Sequence, residues 1–516
     1  MAVPETRPIP AAPLAGLMRE IQGLREQLDA AHRQLEWFKR QLFGAKSERR
    51  LADQNAQQLS LGEGLEAPAA ERAAAREIPA HTRRTVKPAA AEPTLFFDPS
   101  RVPVEVIVLP NPEAMTLAPG DYAVIGEKVT HRLAQRPGSY VVLRYVRPVI
   151  KRLDDGTLHN TPSPPGPIED SRADVSLLAG MLVDKGLYHL PLYRQHQRLR
   201  GQGIDVSRPW MQGLVRDSLT LLEPIHAAQL ASIRQSRVIA MDETPIKAGR
   251  DGPGKMHAGY FWPVYGEGDE ISFVYGSSRA GRHVPEILGP APPEGRVLLT
   301  DGYAVYARYA EKTGLAHAQC WAHTRRAFHE AREVEPERVA WALEAIGQLY
   351  AIEADIRDQR LAGQTQRDYR ITHAKPVVEI FFAWVQTQLE SGGLLPKNPL
   401  TTALAYARDR RAGLEVFLTD PEVPIDTNHL ERALRAIPMG RRNWLFCWTE
   451  LGAQQIGILQ SLLVTCRLHA VDPFDYLVDV LQRVDRHPAA QVHLLTPRLW
   501  KQHFAANPLR SDAYRP

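Results

Sequence analysis

From Leu14 the apolar side chains recur at alternating steps of three and four, through Leu17, Ile21, Leu24, Leu28, Ala31, Leu35 and Phe38 to Leu42. Such a seam leaves one helical stripe that a partner helix covers well. The spacing therefore predicts a parallel coiled coil over 14–50, with Leu14, Leu17, Ile21, Leu24, Leu28, Leu35, Phe38 and Leu42 as dimerisation residues. Packing of that stripe on the helix's own domain is the other solution. The helix ends near Gly44, and Lys46, Arg49 and Arg50 form a basic exit suited to a phosphate backbone or to solvent.

Over 51–100 Ala, Gln, Glu and Pro dominate, a composition in which burial cannot offset chain entropy, and a flexible linker is expected. Alternation returns at Val104, Val106 and Val108 and again at Tyr140, Val142 and Leu143, predicting a small β module over 101–153 that closes at the turn Asp154-Asp155-Gly156. Over 173–233 the period is helical: Leu177 to Lys185, Leu190 to Leu199, a turn at Gly201 to Gly203, then a helix capped by Ser207 with Pro209 in its first turn. This layout permits a helix-turn-helix whose Arg208, Gln212 and Arg216 enter a major groove, and equally a plain helical connector.

The run Val238-Ile239-Ala240-Met241 has the character of a buried central strand, and Asp242 closes it. Two strands follow, Tyr260 to Tyr265 and Ile271 to Tyr275, around Gly266-Glu267-Gly268-Asp269, then a helix from Arg282 to Leu288. Next, Val297-Leu298-Leu299 is again closed by an acid, Asp301. Three antiparallel strands, a helix and a fourth strand beside the first make a ribonuclease-H-like arrangement, which brings both carboxylates to one spot. Glu431 offers a third from a helix that Asp426, Thr427 or Asn428 could cap. The long interval before it leaves room for a helical insertion at about 325–415, with helices at Trp341 to Arg360 and Val377 to Leu389.

Three carboxylates in such a set suit in-line attack on a phosphodiester, where two Mg2+ ions about 4 Å apart neutralise the entering and leaving oxygens. Mn2+ is a possible substitute. Around Glu431, Arg432, Arg435, Arg441 and Arg442 interleave with Trp444, Phe446 and Trp448, a mixture that grips phosphates and stacks on an unpaired base.

Composition narrows this picture only slightly. A chain of 516 residues exceeds one core, and 44% hydrophobic with 24% charged residues is ordinary for a globular protein. The net charge of +4, with a pI near 8.8, permits nucleic acid without requiring it. Cys320, Cys447 and Cys466 are widely spaced and form no CxxC pair, so neither a disulfide framework nor structural zinc is expected. The N-terminus lacks a signal-peptide pattern and no apolar run reaches membrane-spanning length, which points to a cytoplasmic protein with no membrane partner. Gly252-Pro253-Gly254-Lys255 faintly echoes a phosphate loop but lacks the preceding strand and the following Ser or Thr.

The segments Met241-Asp242-Glu243-Thr244-Pro245, Thr300-Asp301-Gly302-Tyr303, Cys320 to Phe328, and Glu431-Arg432-Ala433 leading to Gly440-Arg441-Arg442-Asn443-Trp444-Leu445-Phe446 resemble those of insertion sequence 66 family transposases, within the DDE superfamily. Weaker matches are Leu42 to Glu48 and Leu192 to Gln195. The resemblance runs from the N-terminal seam to the C-terminus. It implies that Asp242, Asp301 and Glu431 bind metal and that the protein recognises terminal inverted repeats. It also implies nicking and strand transfer of element ends into target DNA.

In that frame Arg325, Arg326 and Trp444 join the DNA-binding set and His323 is an active-site auxiliary. A homodimer or higher synaptic oligomer and accessory proteins of the same element are expected partners. Two departures stand out: no cysteine lies between Leu109 and Arg152, where the family carries a zinc ribbon, and Thr427 stands where the family often has Asn, which alters the helix cap. A catalytically inactive DNA-binding descendant and a stand-alone nuclease of the same fold are the rival readings. The expected architecture is multidomain α+β: the coiled coil, linker and β module, the helical region 173–233, a catalytic domain over 236–450 and a C-terminal helical region over 451–516.

Overall fold

The computed structural model describes residues 140, 149–151, 158–160, 166–169, 171, 173–201, 204–250, 255–290, 292–391, 393–443, 447, 449–511 and 513. The heptad seam, the basic exit at Lys46, Arg49 and Arg50, the linker and most of the β module lie outside them, as do Trp444, Phe446 and Trp448. From the β module comes β1 (Val149–Lys151), which pairs antiparallel with β2 (Leu158–Asn160). The expected Asp154-Asp155-Gly156 turn lies outside the described residues.

Three helices follow: α1 (Val175–Gly186), α2 (Leu192–Gly201) and α3 (Arg208–Ile233). Ser207 caps α3 by accepting the Trp210 N–H at 3.3 Å, and Pro209 sits in its first turn, where a missing N–H costs nothing. The helix runs well past the Arg216 boundary of the expected recognition segment.

The fold is mixed α/β, mostly helical, around one mixed sheet. Its strands are β3 (Val238–Met241), β4 (Thr244–Arg250), β5 (Met256–Gly266), β6 (Glu270–Gly276), β7 (Val297–Thr300) and β8 (Ala316–Gln319). β5 pairs antiparallel with β6 along Tyr260–Gly266, with β3 through Val264–Gly266 and with β4 through Met256–Phe261. Since β6 occupies one edge of β5, β3 and β4 share the other, interrupted at Asp242-Glu243. On its far side β3 pairs parallel with β7, and β7 with β8.

Apolar residues on β3 and β7 alternate between faces. Val238, Ala240, Val297 and Leu299 enter one core, whereas Ile239, Met241 and Leu298 enter another with helices α4 (His283–Leu288) and α5 (Ala304–Thr313). Burial on both sides explains why these strands read as unbroken apolar runs.

The chain then forms α6 (Trp321–Glu330), α7 (Pro336–Asp358), α8 (Gly363–Tyr369), a π-turn (Arg370–Ala374), α9 (Lys375–Glu390), α10 (Pro399–Asp409) and α11 (Arg411–Thr419). These helices cover the first face. α12 (Asn428–Leu434), α13 (Ala436–Asn443), α14 (Glu450–Leu468), α15 (Pro473–Arg483) and α16 (Pro497–His503) complete the described order.

Residues 173–233 and the C-terminal helices read as separate regions in sequence, yet their apolar faces meet in one core: Leu182, Leu222, Leu462, Tyr476 and Trp500 are all in it. Helix α14 also closes the outer edge of β6. The Phe273 N–H donates to Ser461 Oγ at 2.8 Å and the Ile271 N–H to Thr465 Oγ1 at 3.3 Å, while Gln229 Nε2 donates to the Ile271 carbonyl at 2.7 Å. An open strand edge is thereby satisfied by side chains. Gly457 permits this approach, since a Cβ there would stand 2.4 Å from the Phe273 carbonyl oxygen.

On α3, His226 faces Ser272 Oγ across 3.1 Å, and burial pushes its imidazole down to about 4. The unfolded imidazole binds its proton below about 6.5, so this contribution to stability is complete above that pH. It is lost as pH falls towards 4, at a cost of up to about 3 kcal/mol. His226→Gln is expected to flatten the stability–pH curve between 6.5 and 4 in urea melts. Parallel curves for the two proteins would remove His226 from the acid transition.

Candidate functional site

Asp242 and Asp301 each sit one step beyond parallel neighbouring strands. In the β3/β7 pairing Val238 faces Val297 and Ala240 faces Leu299, which continues to bring Asp242 level with Asp301. Each carboxylate is steadied locally: Asp242 Oδ1 accepts the Glu243 N–H at 2.7 Å, and Asp301 Oδ1 accepts the Tyr303 N–H at 2.9 Å. Burial raises the half-buried Asp242 carboxyl to about 7. The Glu243 N–H opposes the rise, and the charges of Glu243, Asp301 and Glu431 add to it. Both of the other acids of the sequence pattern therefore act on Asp242.

Glu431 lies in the first turn of α12. Thr427 begins the helix, but its side chain makes no cap bond. Its hydroxyl and N–H both point to Cys320 Sγ, at 3.3 and 3.4 Å. Asp426 instead accepts the Asn428 N–H at 2.9 Å. Thr427 thus gives its hydroxyl to a buried thiol and not to the helix's first N–H groups, and it ties the α12 entrance to the start of α6.

His323 and Arg326, one turn apart on α6, meet Glu431 from the other side. His323 Nε2 lies 3.7 Å from Oε1 and Arg326 3.9 Å from Oε2. Burial lowers the His323 pKa, opposed by Glu431, and its buried Nδ1 finds no hydrogen-bond partner among the described residues.

Three carboxylates are hard oxygen donors of the kind magnesium takes, and Asp242 is an acid short of positive charge, so the donor set fits a divalent cation. As the side chains stand, no three His, Cys, Asp or Glu groups among the described residues are close enough together to hold an ion.

Of the remaining site candidates, Arg441 is exposed and donates to the Pro245 carbonyl at 2.6 Å, three residues beyond Asp242. Arg432, Arg435 and Arg442 are also exposed, and Arg325 is half-buried on α6. Arg208 and Arg216 lie on α3, which belongs to the helical core; Arg216 is paired with Asp217 at 2.8 Å, and Arg208 stands over the Tyr193 ring.

Sequence reasoning missed the groups that brace the two strand ends. Glu243 directly follows Asp242, and its carboxylate, 3% exposed, accepts the Tyr306 hydroxyl at 2.7 Å and pairs with Arg279. Its adjacency to Asp242 was a signal; Arg279 and Tyr306 carried none, because only the fold brings them there.

A family model described as "Transposase IS66 family" matches residues 170–455, one described as "IS66 C-terminal element" matches 461–497, and one described as "Transposase C of IS166 homeodomain" matches 31–94. Two similar chains are the uncharacterized proteins y4hP and y4jD of Sinorhizobium fredii (strain NBRC 101917 / NGR234). The first is 29% identical, with 92% of this chain and 89% of the relative covered; the second is 26% identical, with 94% and 97% covered. The uncharacterized protein y4qI of the same organism is 30% identical over 72% of this chain and 71% of its own. Among the described residues no helix is long and apolar enough to cross a membrane.

Proposed function

The chain belongs to the IS66 transposase family, and from that premise we propose that it cuts DNA at the terminal inverted repeats of its own element and joins those ends to target DNA. Asp242, Asp301 and Glu431 are the metal-binding carboxylates in this reading. The observation that carries it is the level pairing of Asp242 and Asp301 on parallel strands, with Glu431 near enough to raise the Asp242 carboxyl. The order β6-β5-β3-β7-β8, antiparallel from β6 to β3 and parallel from β3 to β8, supports a ribonuclease-H-like assignment, with β4 as an added strand along β5.

Two Mg2+ ions, or Mn2+, would supply charge neutralisation at the entering and leaving oxygens. The protein's own part is positional. The N–H groups of Glu243 and Tyr303 orient the two aspartates, and His323 and Arg326 hold Glu431 until substrate arrives. Arg325, Arg326, Arg432, Arg435, Arg441 and Arg442, with Trp444, are assigned to DNA near the cut. Lys46, Arg49, Arg50, Arg208 and Arg216 are assigned to end recognition. The seam from Leu14 to Leu42 pairs two chains so that two ends meet two sites, with accessory proteins of the element as further partners in a cytoplasmic, nucleoid-associated setting.

The test is incubation of wild-type protein with labelled duplexes carrying the element's repeat, in Mg2+ or Mn2+. Breaks at the repeat's end together with joined products are expected. Breaks without joining would favour a plain nuclease. Binding without breaks, even with the element's accessory proteins supplied, would favour a regulatory descendant.

A further inference from the structure

Two arginines outside every sequence motif flank the Asp301-Gly302-Tyr303 turn. Arg279, between β6 and α4, lies over the Tyr303 ring at 4.2 Å, and the Tyr303 hydroxyl donates to its carbonyl at 2.9 Å. Its Nε bonds Glu243 Oε1 at 2.8 Å while half of its side chain stays exposed. Arg410, at the junction of α10 and α11, lies over the Tyr406 ring at 3.8 Å. Among the described residues its guanidinium bonds backbone carbonyls, Gly302 at 2.9 Å and Tyr406 at 3.2 Å.

Gly302 is what lets Arg410 close on the turn. A Cβ there would stand 2.6 Å from the Tyr406 hydroxyl and 2.7 Å from Arg410 Nε.

A guanidinium stacked on a ring and pinned along one edge has already lost its rotamer freedom, and its planar fork matches a phosphate. We propose that Arg279 and Arg410 form a phosphate clamp on the Asp301 side of the carboxylate site, each holding a phosphate of the DNA strand that crosses the turn. The clamp rests on the transposase reading for the identity of its ligand. It gives the helical insertion a direct part in the site, because Arg410 comes from it.

The experiment is equilibrium binding of a repeat-bearing duplex to full-length protein at several salt concentrations, without divalent metal. Arg279→Gln and Arg410→Gln should each weaken binding about tenfold or more and make the log K against log salt slope shallower by about 1. The double variant should lose about 2. Arg279→Lys and Arg410→Lys, which keep the charge, should retain the wild-type slope.

An unchanged slope in Gln variants that still melt cooperatively overturns the clamp, as does a slope lost equally in the Lys variants. Should Arg410→Gln fail to fold, wild type and Arg410→Lys are compared on duplexes with single neutral methylphosphonates near the cleaved end. Weakened binding of both at the same positions supports the clamp, and insensitivity everywhere overturns it. A wild type that never cuts, with slopes that fall as expected, sinks the transposase reading and leaves the clamp. Cutting with unchanged slopes does the reverse.

Discussion

Asp242→Asn, Asp301→Asn and Glu431→Gln are each expected to lower cleavage of a repeat-bearing duplex by about a thousandfold or more, with DNA binding retained. Losing one carboxylate of a metal-assisted site removes several kcal/mol of transition-state stabilisation, and each factor of ten corresponds to about 1.36 kcal/mol. The fold should survive, because the amide oxygens of Asn can still accept the Glu243 and Tyr303 N–H groups that Asp242 and Asp301 accept now. Pairwise combinations should be little worse than single changes, since the three act as a unit.

Asp242→Asn carries its own control. Burial holds that carboxyl up to about 7, above its unfolded value, so the native state keeps a proton that the unfolded chain releases. The contribution of Asp242 to wild-type stability therefore falls as pH climbs from about 4 to 7, opposite in sign to that of His226. The Asn variant, which cannot ionise, should melt no lower than wild type at pH 8. A variant that melts normally and still cuts at the wild-type rate would remove that residue from the site.

Arg370→Ala is expected to cost about 3–5 kcal/mol of stability, the range for a buried ion pair that loses one partner. Arg370 is 1% exposed. Its Nε and Nη2 donate to the two Glu353 oxygens at 2.8 Å each, while the two N–H bonds of Nη1 are shared among the carbonyls of Phe417, Asp420, Pro421 and Val423, all at 3.0 to 3.2 Å. Removing it strands a buried carboxylate and those carbonyls together. Arg237 grips the same loop from the start of β3, with Asp420 at 2.6 Å, and the Trp321 N–H donates to the Ile425 carbonyl at 3.1 Å.

This loop leads directly into the helix of Glu431, so the damage should extend to cleavage. Arg370→Met paired with Glu353→Leu should regain the ion-pair part of the loss but not the carbonyl part. Urea melts of the single and double variants measure both. A loss under about 1 kcal/mol for Arg370→Ala would show the loop to be held by other contacts.

The periodicities of β3 and β7 were legible because strands buried on both faces need apolar residues at every position, and an acid that ends such a run is conspicuous. Ser207 and Pro209 marked the start of α3 by local chemistry alone, for the same reason that any helix start exposes its first N–H groups. β8 was not legible: Ala316-His317-Ala318-Gln319 has no β-branched or aromatic residue and becomes a strand only by pairing with β7. β4 was hidden because Pro245 and Gly249 weaken any strand pattern over Thr244–Arg250, whose partners come from β5.

By itself the sequence determined the acids, their places at strand ends and on a helix, and the family, since each is written in local pattern or motif. Only the tertiary structure decided that Thr427 serves Cys320, that Arg279 and Arg410 stand beside Asp301, and that residues 173–233 share a core with the C-terminal helices. Those pairings join residues far apart in the chain, whose meeting depends on how sheet and helices pack and leaves no period or motif to read.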